Sequence, residues 1–146
     1  MKLLGDLATQ NYLESGYCCS ESVWLAWADY HKTAAEQRTL GSRLSFAFCG
    51  GTGAHDLCGA LAGGILALGL QYGRSPDEPR DPRVGEATEA LFIAFTEKFG
   101  HSACRDLKPS DPAISKATCA EYVRFVAEHL ATVTQHIDTK FGVPQE

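Results

Sequence analysis

The sequence predicts an all-α protein, a single-domain bundle of five or six helices around a central, glycine-rich apolar helix. Apolar residues recur every three or four positions along most of the chain, and we see no sustained alternation of the strand type. The chain has 146 residues, 45% of them hydrophobic, which suits one core and one domain over residues 1–146. Segments rich in proline, glycine and polar residues separate the periodic stretches and predict loops.

Three helices are predicted in the first part of the chain. Lys2–Glu14 forms the first, because its leucines and neighbouring apolar residues fall on one face. The second runs from about Cys18 to Tyr30, since a serine near its start can cap free amide groups and Cys19 belongs to its apolar stripe. A third helix is predicted over Ala34–Phe48.

Three further helices are predicted after a glycine-rich segment. Asp56 is expected to cap the fourth, Leu57–Tyr72, which is apolar almost all round and should therefore cross the centre of the fold. Gly73–Pro82 has the composition of an exposed loop. The fifth helix, Val84–Phe99, has a clear apolar face, and the last is predicted over Ser115–Asp138.

Glycines cluster on both sides of the start of the fourth helix. The loop Cys49–His55 contains three glycines, which permit backbone angles that other residues avoid. Inside the helix, Gly59, Gly63 and Gly64 allow close approach. Either another helix or a bulky cofactor could take advantage of that access.

Charge and hydropathy exclude two classes of partner. The formal net charge is −5 and Lys and Arg do not cluster, which argues against nucleic acid because its binding depends on neutralising phosphates. The most apolar stretch, Leu57–Leu70, contains four glycines and is shorter than the roughly 18 apolar residues of a membrane span. The first residues lack the apolar run of a secretory signal, so we expect a cytoplasmic protein.

Six cysteines are a high number for a chain of this length. Because a reducing cytoplasm disfavours structural disulfides, metal binding or redox chemistry is the leading explanation, although free cysteine is also a common small core residue. No two of them have the C-x-x-C spacing of thioredoxin motifs, zinc ribbons or ferredoxins, so any shared site must be assembled by folding. The six are Cys18, Cys19, Cys49, Cys58, Cys104 and Cys119.

Helix phase predicts that four of these thiols can converge. Cys19, Cys58 and Cys104 are placed at helix starts or short turns, and Cys119 faces the core near the start of the last helix. Cys58 is the strongest individual candidate, because the positive end of a helix dipole favours its thiolate. The preceding glycine loop could offer N–H groups to an anionic centre.

Two histidines are weaker candidates for metal binding. His55 and His101 each stand three residues before a cysteine, a spacing that could place nitrogen and sulfur near one metal, although ordinary loop residues are the more common explanation. Cys18 points away from the face that Cys19 shares, because neighbouring side chains on a helix diverge, and it is expected to be structural.

Five segments follow one another along the chain, and they are GYCCSESV at 16–23, GGTG at 50–53, CGALAG at 58–63, CRDL at 104–107 and Cys119. Their order resembles a known family, one named for a C…GCAxxG…C…C cysteine pattern and regarded as redox-active. The resemblance covers about residues 16–126 and depends on the order of the segments more than on any one of them.

The resemblance implies a cofactor. A similar domain occurs in split-Soret cytochromes, which carry haems and an iron–sulfur centre, so the family likeness implies cluster binding here. The family cysteines fall on Cys19, Cys58, Cys104 and Cys119. Cys18 and Cys49 are additional to the pattern, and the absence of a C-x-x-C-H motif excludes covalent c-type haem.

Three functions therefore stay open on the sequence alone. The first is electron transfer or redox sensing through a [2Fe–2S] or [4Fe–4S] cluster held by those four cysteines. The second is a thiol–disulfide redox protein in which Cys58 is the nucleophile and another cysteine resolves the intermediate. The third is a zinc-binding structural module, or packing without a cofactor. We expect an unidentified redox protein as partner, and a homodimer is compatible with a cluster near the surface.

Overall fold

The computed structural model describes residues 2–142, a range that contains seven α-helices and no strand. The all-α prediction is confirmed, and the helix beyond the predicted six is the single turn that follows the fifth. The helices are α1 (Lys2–Leu13), α2 (Cys19–Tyr30), α3 (Ala35–Phe46), α4 (Gly59–Tyr72), α5 (Pro82–Phe99), α6 (Cys104–Leu107) and α7 (Pro112–Phe141).

Helix α4 lies at the centre of the bundle, as its apolar composition predicts. It contacts α2, α3, α5 and α7, and residues such as Leu61 and Leu68 are fully buried. The long helix α7 also packs against α1, α2 and α5, so one continuous core extends through the fold. Neither α4 nor any other helix within residues 2–142 has the length and apolar character needed to cross a membrane.

The glycines of α4 serve close helix packing. A Cβ atom at Gly63 would collide with the carbonyl oxygen of Ser20 in α2, and one at Gly59 would lie 3.2 Å from the Cβ of Cys19. A Cβ at Gly64 would meet the side chains of Val126 and Leu91. Of the two explanations that the sequence left open for these glycines, the contacts favour packing.

We predict that Gly63→Ala destabilises the protein by about 1–3 kcal/mol, the usual cost of overpacking a filled core. The colliding atom belongs to backbone, so it cannot move aside as a flexible side chain would. Chemical denaturation measures the effect, with Gly69→Ala as the control because it adds a Cβ to the same helix in open space. That control is expected to be neutral or slightly stabilising. Equal stability of both variants would contradict this account of the α2–α4 contact.

The start of α4 differs from the prediction in a way that matters for the site. Asp56 does not cap the helix, because Leu57 pairs with Ala103 in an isolated antiparallel bridge and the backbone N–H of Cys58 donates to Ser102 O at 2.8 Å. This pairing holds the chain extended, and Cys58 takes the N-cap position. A tertiary contact thus overrides the local capping signal.

Candidate functional site

The four cysteines predicted to converge line one cavity. Cys19, Cys58, Cys104 and Cys119 are free thiols, and all four contribute to the wall of a space of about 150 Å³. They come from four different segments. Cys19 is the first residue of α2, Cys58 directly precedes α4, Cys104 is the first residue of α6, and Cys119 lies on the buried face of α7. The remaining lining residues are Tyr12, Cys18, Gly50, Gly51, Gly59, Leu107, Lys108 and Tyr122.

Helix packing and a short bridge place these thiols. The close approach of α4 to α2 at Gly59 brings the start of both helices, and so Cys19 and Cys58, to the same end of the bundle. The antiparallel bridge between Leu57 and Ala103 places Cys58 opposite Ser102 and Cys104 opposite Asp56. The two cysteines therefore flank the bridge, and both line the cavity.

Tyr122 connects the last two segments of the site. Its hydroxyl donates to the carbonyl oxygen of Leu107 at 2.7 Å, which ties the short helix α6 to α7. Because Cys119 lies three residues before Tyr122, both side chains occupy the same face of α7 and line the cavity. The position of Cys104 relative to Cys119 therefore depends on this hydrogen bond.

Cys18 and Cys49, 31 positions apart in the sequence, form a disulfide with their Cα atoms 5.8 Å apart. This bond could not be predicted from the sequence, because the pairing depends on how the start of α2 meets the segment after α3. Both residues are half-buried, and Cys18 also lines the cavity. The buried hydroxyl of Ser20 lies 3.4 Å from Cys18 Sγ and 3.7 Å from Cys49 Sγ, and it donates to Ser45 O at 2.6 Å.

Cys19 and Cys119 both line the cavity, and the pKa values of their thiols are shifted in opposite directions. Hydrogen bonding between the two thiols, with burial, raises the pKa of Cys19. The same bond, assisted by the Tyr12 hydroxyl and the Lys108 ammonium, lowers the pKa of Cys119 to about 7. Of the two thiols, Cys119 is therefore the first to lose its proton as the pH rises.

Cys58 behaves differently from the prediction. Burial raises its pKa to about 11, although the backbone N–H groups of Leu61 and Ala60 at the helix start act in the opposite direction. The expectation that the helix start makes Cys58 the favoured thiolate is therefore wrong, because loss of solvent outweighs the helix dipole. Burial also raises the pKa of Cys104.

The charged side chain in the wall of the cavity is a cation. Lys108 is its cationic lining residue, and no carboxylate is among the described residues that form its wall. His55 and His101, the two weaker metal candidates, are exposed and do not line it. Tyr12 and Lys108 also line the cavity, and neither could be selected from the sequence, since neither stands in a motif.

The spacing of the sulfurs distinguishes between kinds of metal centre. Four thiolates at about 2.3 Å from one zinc ion would all lie within roughly 4 Å of each other. Within residues 2–142, however, one set of three metal-binding side chains has its ligand atoms within 4.8 Å of one another, and it consists of Cys18, Glu21 and Cys49. No such set includes Cys19, Cys58, Cys104 or Cys119. The cavity is therefore not a preformed mononuclear site.

The donor set and the volume fit an iron–sulfur cluster better. A cluster spreads its thiolate ligands over more than one iron, so the sulfurs need not crowd a single ion. A cavity of about 150 Å³ is of the size that holds a benzene-like molecule, which suits a compact inorganic core and is too small for a haem.

Comparison with known proteins gives one match. The model of a family described as "Putative redox-active protein (C_GCAxxG_C_C)" matches residues 17–133, a range that includes all six cysteines. The chain departs from the printed pattern in one respect, since it reads Cys58-Gly59-Ala60 where the family name has Gly-Cys-Ala. No curated protein and no solved structure matches the chain.

Proposed function

The chain belongs to the C_GCAxxG_C_C family of redox-active proteins, and on this premise we propose that it binds an iron–sulfur cluster and transfers or senses electrons. The observation that carries the proposal is the shared wall that four free thiols contribute to one cavity. The ligands would be Cys19, Cys58, Cys104 and Cys119. When bound, a cluster supplies a centre that accepts and returns single electrons.

The residues around the thiols would stabilise thiolate ligands in a largely dry site. Cys58 and Cys119 are 5% and 7% exposed, so water has little access to their sulfurs. The Tyr12 hydroxyl donates toward Cys119, and the Lys108 ammonium offsets negative charge near it. Hydrogen bonds and charges near ligand sulfurs are the means by which proteins adjust a cluster's reduction potential.

The spread of the four thiols favours a cluster over a single zinc ion within this proposal. Cys58 and Cys104 flank the Leu57–Ala103 bridge, and no three of the cavity sulfurs lie within 4.8 Å of one another. A cluster takes its ligands on more than one iron, so sulfurs that are too far apart for one ion can share it. A single zinc ion would need all four sulfurs closer together than they lie.

Anaerobic purification tests the proposal. We predict a brown protein with charge-transfer absorption in the visible range that bleaches on reduction, and with iron and acid-labile sulfide in equal amounts. Reconstitution of the purified chain with iron and sulfide under argon should give the same spectrum. A colourless protein that contains zinc and takes up no iron would reject the cluster in favour of the structural metal site.

Thiol–disulfide exchange is the second candidate, and a specific observation favours it. The hydrogen bond from Cys19 lowers the pKa of Cys119 to about 7, so at neutral pH a large fraction of Cys119 is thiolate. Cys119 would attack the target sulfur and Cys19 would resolve the mixed disulfide. The disulfide between Cys18 and Cys49 lies next to this pair, at the same cavity.

A further inference from the structure

The Cys18–Cys49 disulfide lies beside the thiol pair Cys19 and Cys119, and we propose that it is a second redox pair that keeps those thiols reduced. We call Cys18 and Cys49 the outer pair, and Cys19 and Cys119 the inner pair. In this inference, a reduced outer pair passes two electrons to an oxidised inner pair by disulfide exchange. The inference rests on the proposed function, because an inner disulfide would remove two of the four ligands.

The geometry gives each pair a distinct role. Cys18 directly precedes Cys19, and both line the cavity together with Cys119, so one wall carries a sulfur of the outer pair and both sulfurs of the inner pair. Cys18, Cys49 and Cys19 are half-buried, whereas Cys119 is 7% exposed. A dithiol in solution can therefore reach both sulfurs of the outer pair but only one sulfur of the inner pair.

The exchange balances without any further reagent. The thiolate of Cys18 attacks the sulfur of Cys119 in the inner disulfide, and Cys19 leaves and takes up the proton that Cys18 gave away. The thiolate of Cys49 then attacks Cys18 in the mixed disulfide, and Cys119 leaves as a thiolate. Two S–S bonds have been broken and two formed, two electrons have moved inward, and the proton of Cys49 has passed to solvent.

Two features favour this direction. Tyr12 and Lys108 share the cavity wall with Cys119, and a hydroxyl donor and an ammonium group there favour the Cys119 thiolate that leaves. The Glu21 carboxylate lies within 4.8 Å of both outer sulfurs, where its negative charge disfavours thiolates and so favours the disulfide. The structure has the end state of the exchange, with the outer pair oxidised and the inner pair free.

Disulfide mapping of the full-length, cluster-free protein tests the exchange. The chain is reduced completely with chelator present, freed of reductant, treated with one molar equivalent of diamide, and sampled over time by acid quenching, alkylation and peptide mass spectrometry. We expect the Cys19–Cys119 disulfide to appear first and then to decline. At equilibrium the Cys18–Cys49 disulfide should exceed it by about tenfold or more.

Blocking the second step should trap the inner disulfide. In Cys49→Ser, a disulfide between Cys119 and either Cys19 or Cys18 should persist. Cluster reconstitution after the oxidant should then fail in this variant, whereas it should succeed in the wild type. Ala54→Ser, in the exposed loop after Cys49, is the matched control, and circular dichroism verifies the fold of each variant.

Direct oxidation of the outer pair would overturn the inference. That result would be a Cys18–Cys49 disulfide that forms without any inner intermediate, at the same rate in Cys119→Ser as in the wild type. An inner disulfide that persists in the wild type would overturn it as well. Failure of the cluster proposal is distinguishable, because reduced wild type would then take up no cluster before any oxidant is added, and the mapping would be unaffected.

Discussion

Serine in place of any one of Cys19, Cys58, Cys104 or Cys119 is expected to lower the cluster content of the reconstituted protein by about tenfold or more. A hydroxyl is a poor substitute for a thiolate at a metal centre, and even groups outside the ligand shell change metal affinity by roughly 10–100-fold. Iron and sulfide analysis together with the visible spectrum measures the loss. Each variant should keep the helical content of the wild type, because the substitution changes one atom.

Serine variants of Cys18 and Cys49 are the matched controls for this series. These residues form the disulfide and are not among the proposed ligands, so the double variant should still take up a cluster under reducing conditions. The opposite pattern would contradict the assignment. If substitution of Cys18, Glu21 or Cys49 removes the iron and the four cavity variants retain it, the metal is bound by Cys18, Glu21 and Cys49 and not at the proposed site.

Alkylation of the cluster-free protein at pH 7 should be much faster at Cys119 than at Cys58, because the two thiols are buried to a similar degree and differ in pKa. A pKa of about 7 for Cys119 leaves about half of it as thiolate, while a pKa of about 11 for Cys58 leaves on the order of one molecule in 10⁴. Cys119→Ser should therefore abolish the fast phase of iodoacetamide labelling, and Cys58→Ser should retain it. The rate should rise with pH through neutrality and then level off as Cys119 becomes fully ionised.

Tyr12→Phe refines this experiment. Loss of the hydroxyl that donates to the Cys119 sulfur should raise the pKa of that thiol, so the labelling curve shifts to higher pH. The side chain keeps its ring, and the packing of α1 should change little. A fast phase that survives Cys119→Ser and is lost in Cys58→Ser would reverse the assignment and restore Cys58 as the reactive thiol.

The bundle could be predicted from sequence wherever a signal was local. The apolar surface of α4 on nearly all sides indicated a central helix, and its contacts with α2, α3, α5 and α7 agree. Asp56 shows the limit of local reasoning, because the pairing of Leu57 with Ala103, 46 positions apart in the numbering, decides where α4 begins. Such a contact leaves no trace in helical periodicity.

The four cavity cysteines could be predicted because helix phase is a local signal, whereas their reactivity and the disulfide could not. Helix phase places Cys19, Cys58 and Cys104 at element starts, and packing gathers these starts around one cavity with Cys119. Reactivity could not be predicted, since the helix dipole at Cys58 can be inferred from sequence but the burial that outweighs it cannot. The disulfide likewise depends on how the segment after α3 folds back toward α2.

Crystals grown without oxygen, with diffraction recorded at the iron absorption edge, test the central claim most directly. We predict iron in the cavity between α2, α4, α6 and α7, bonded to the sulfurs of Cys19, Cys58, Cys104 and Cys119. Anomalous signal confined to the neighbourhood of Cys18, Glu21 and Cys49, or an iron-free cavity in protein reconstituted with excess iron and sulfide, would contradict it.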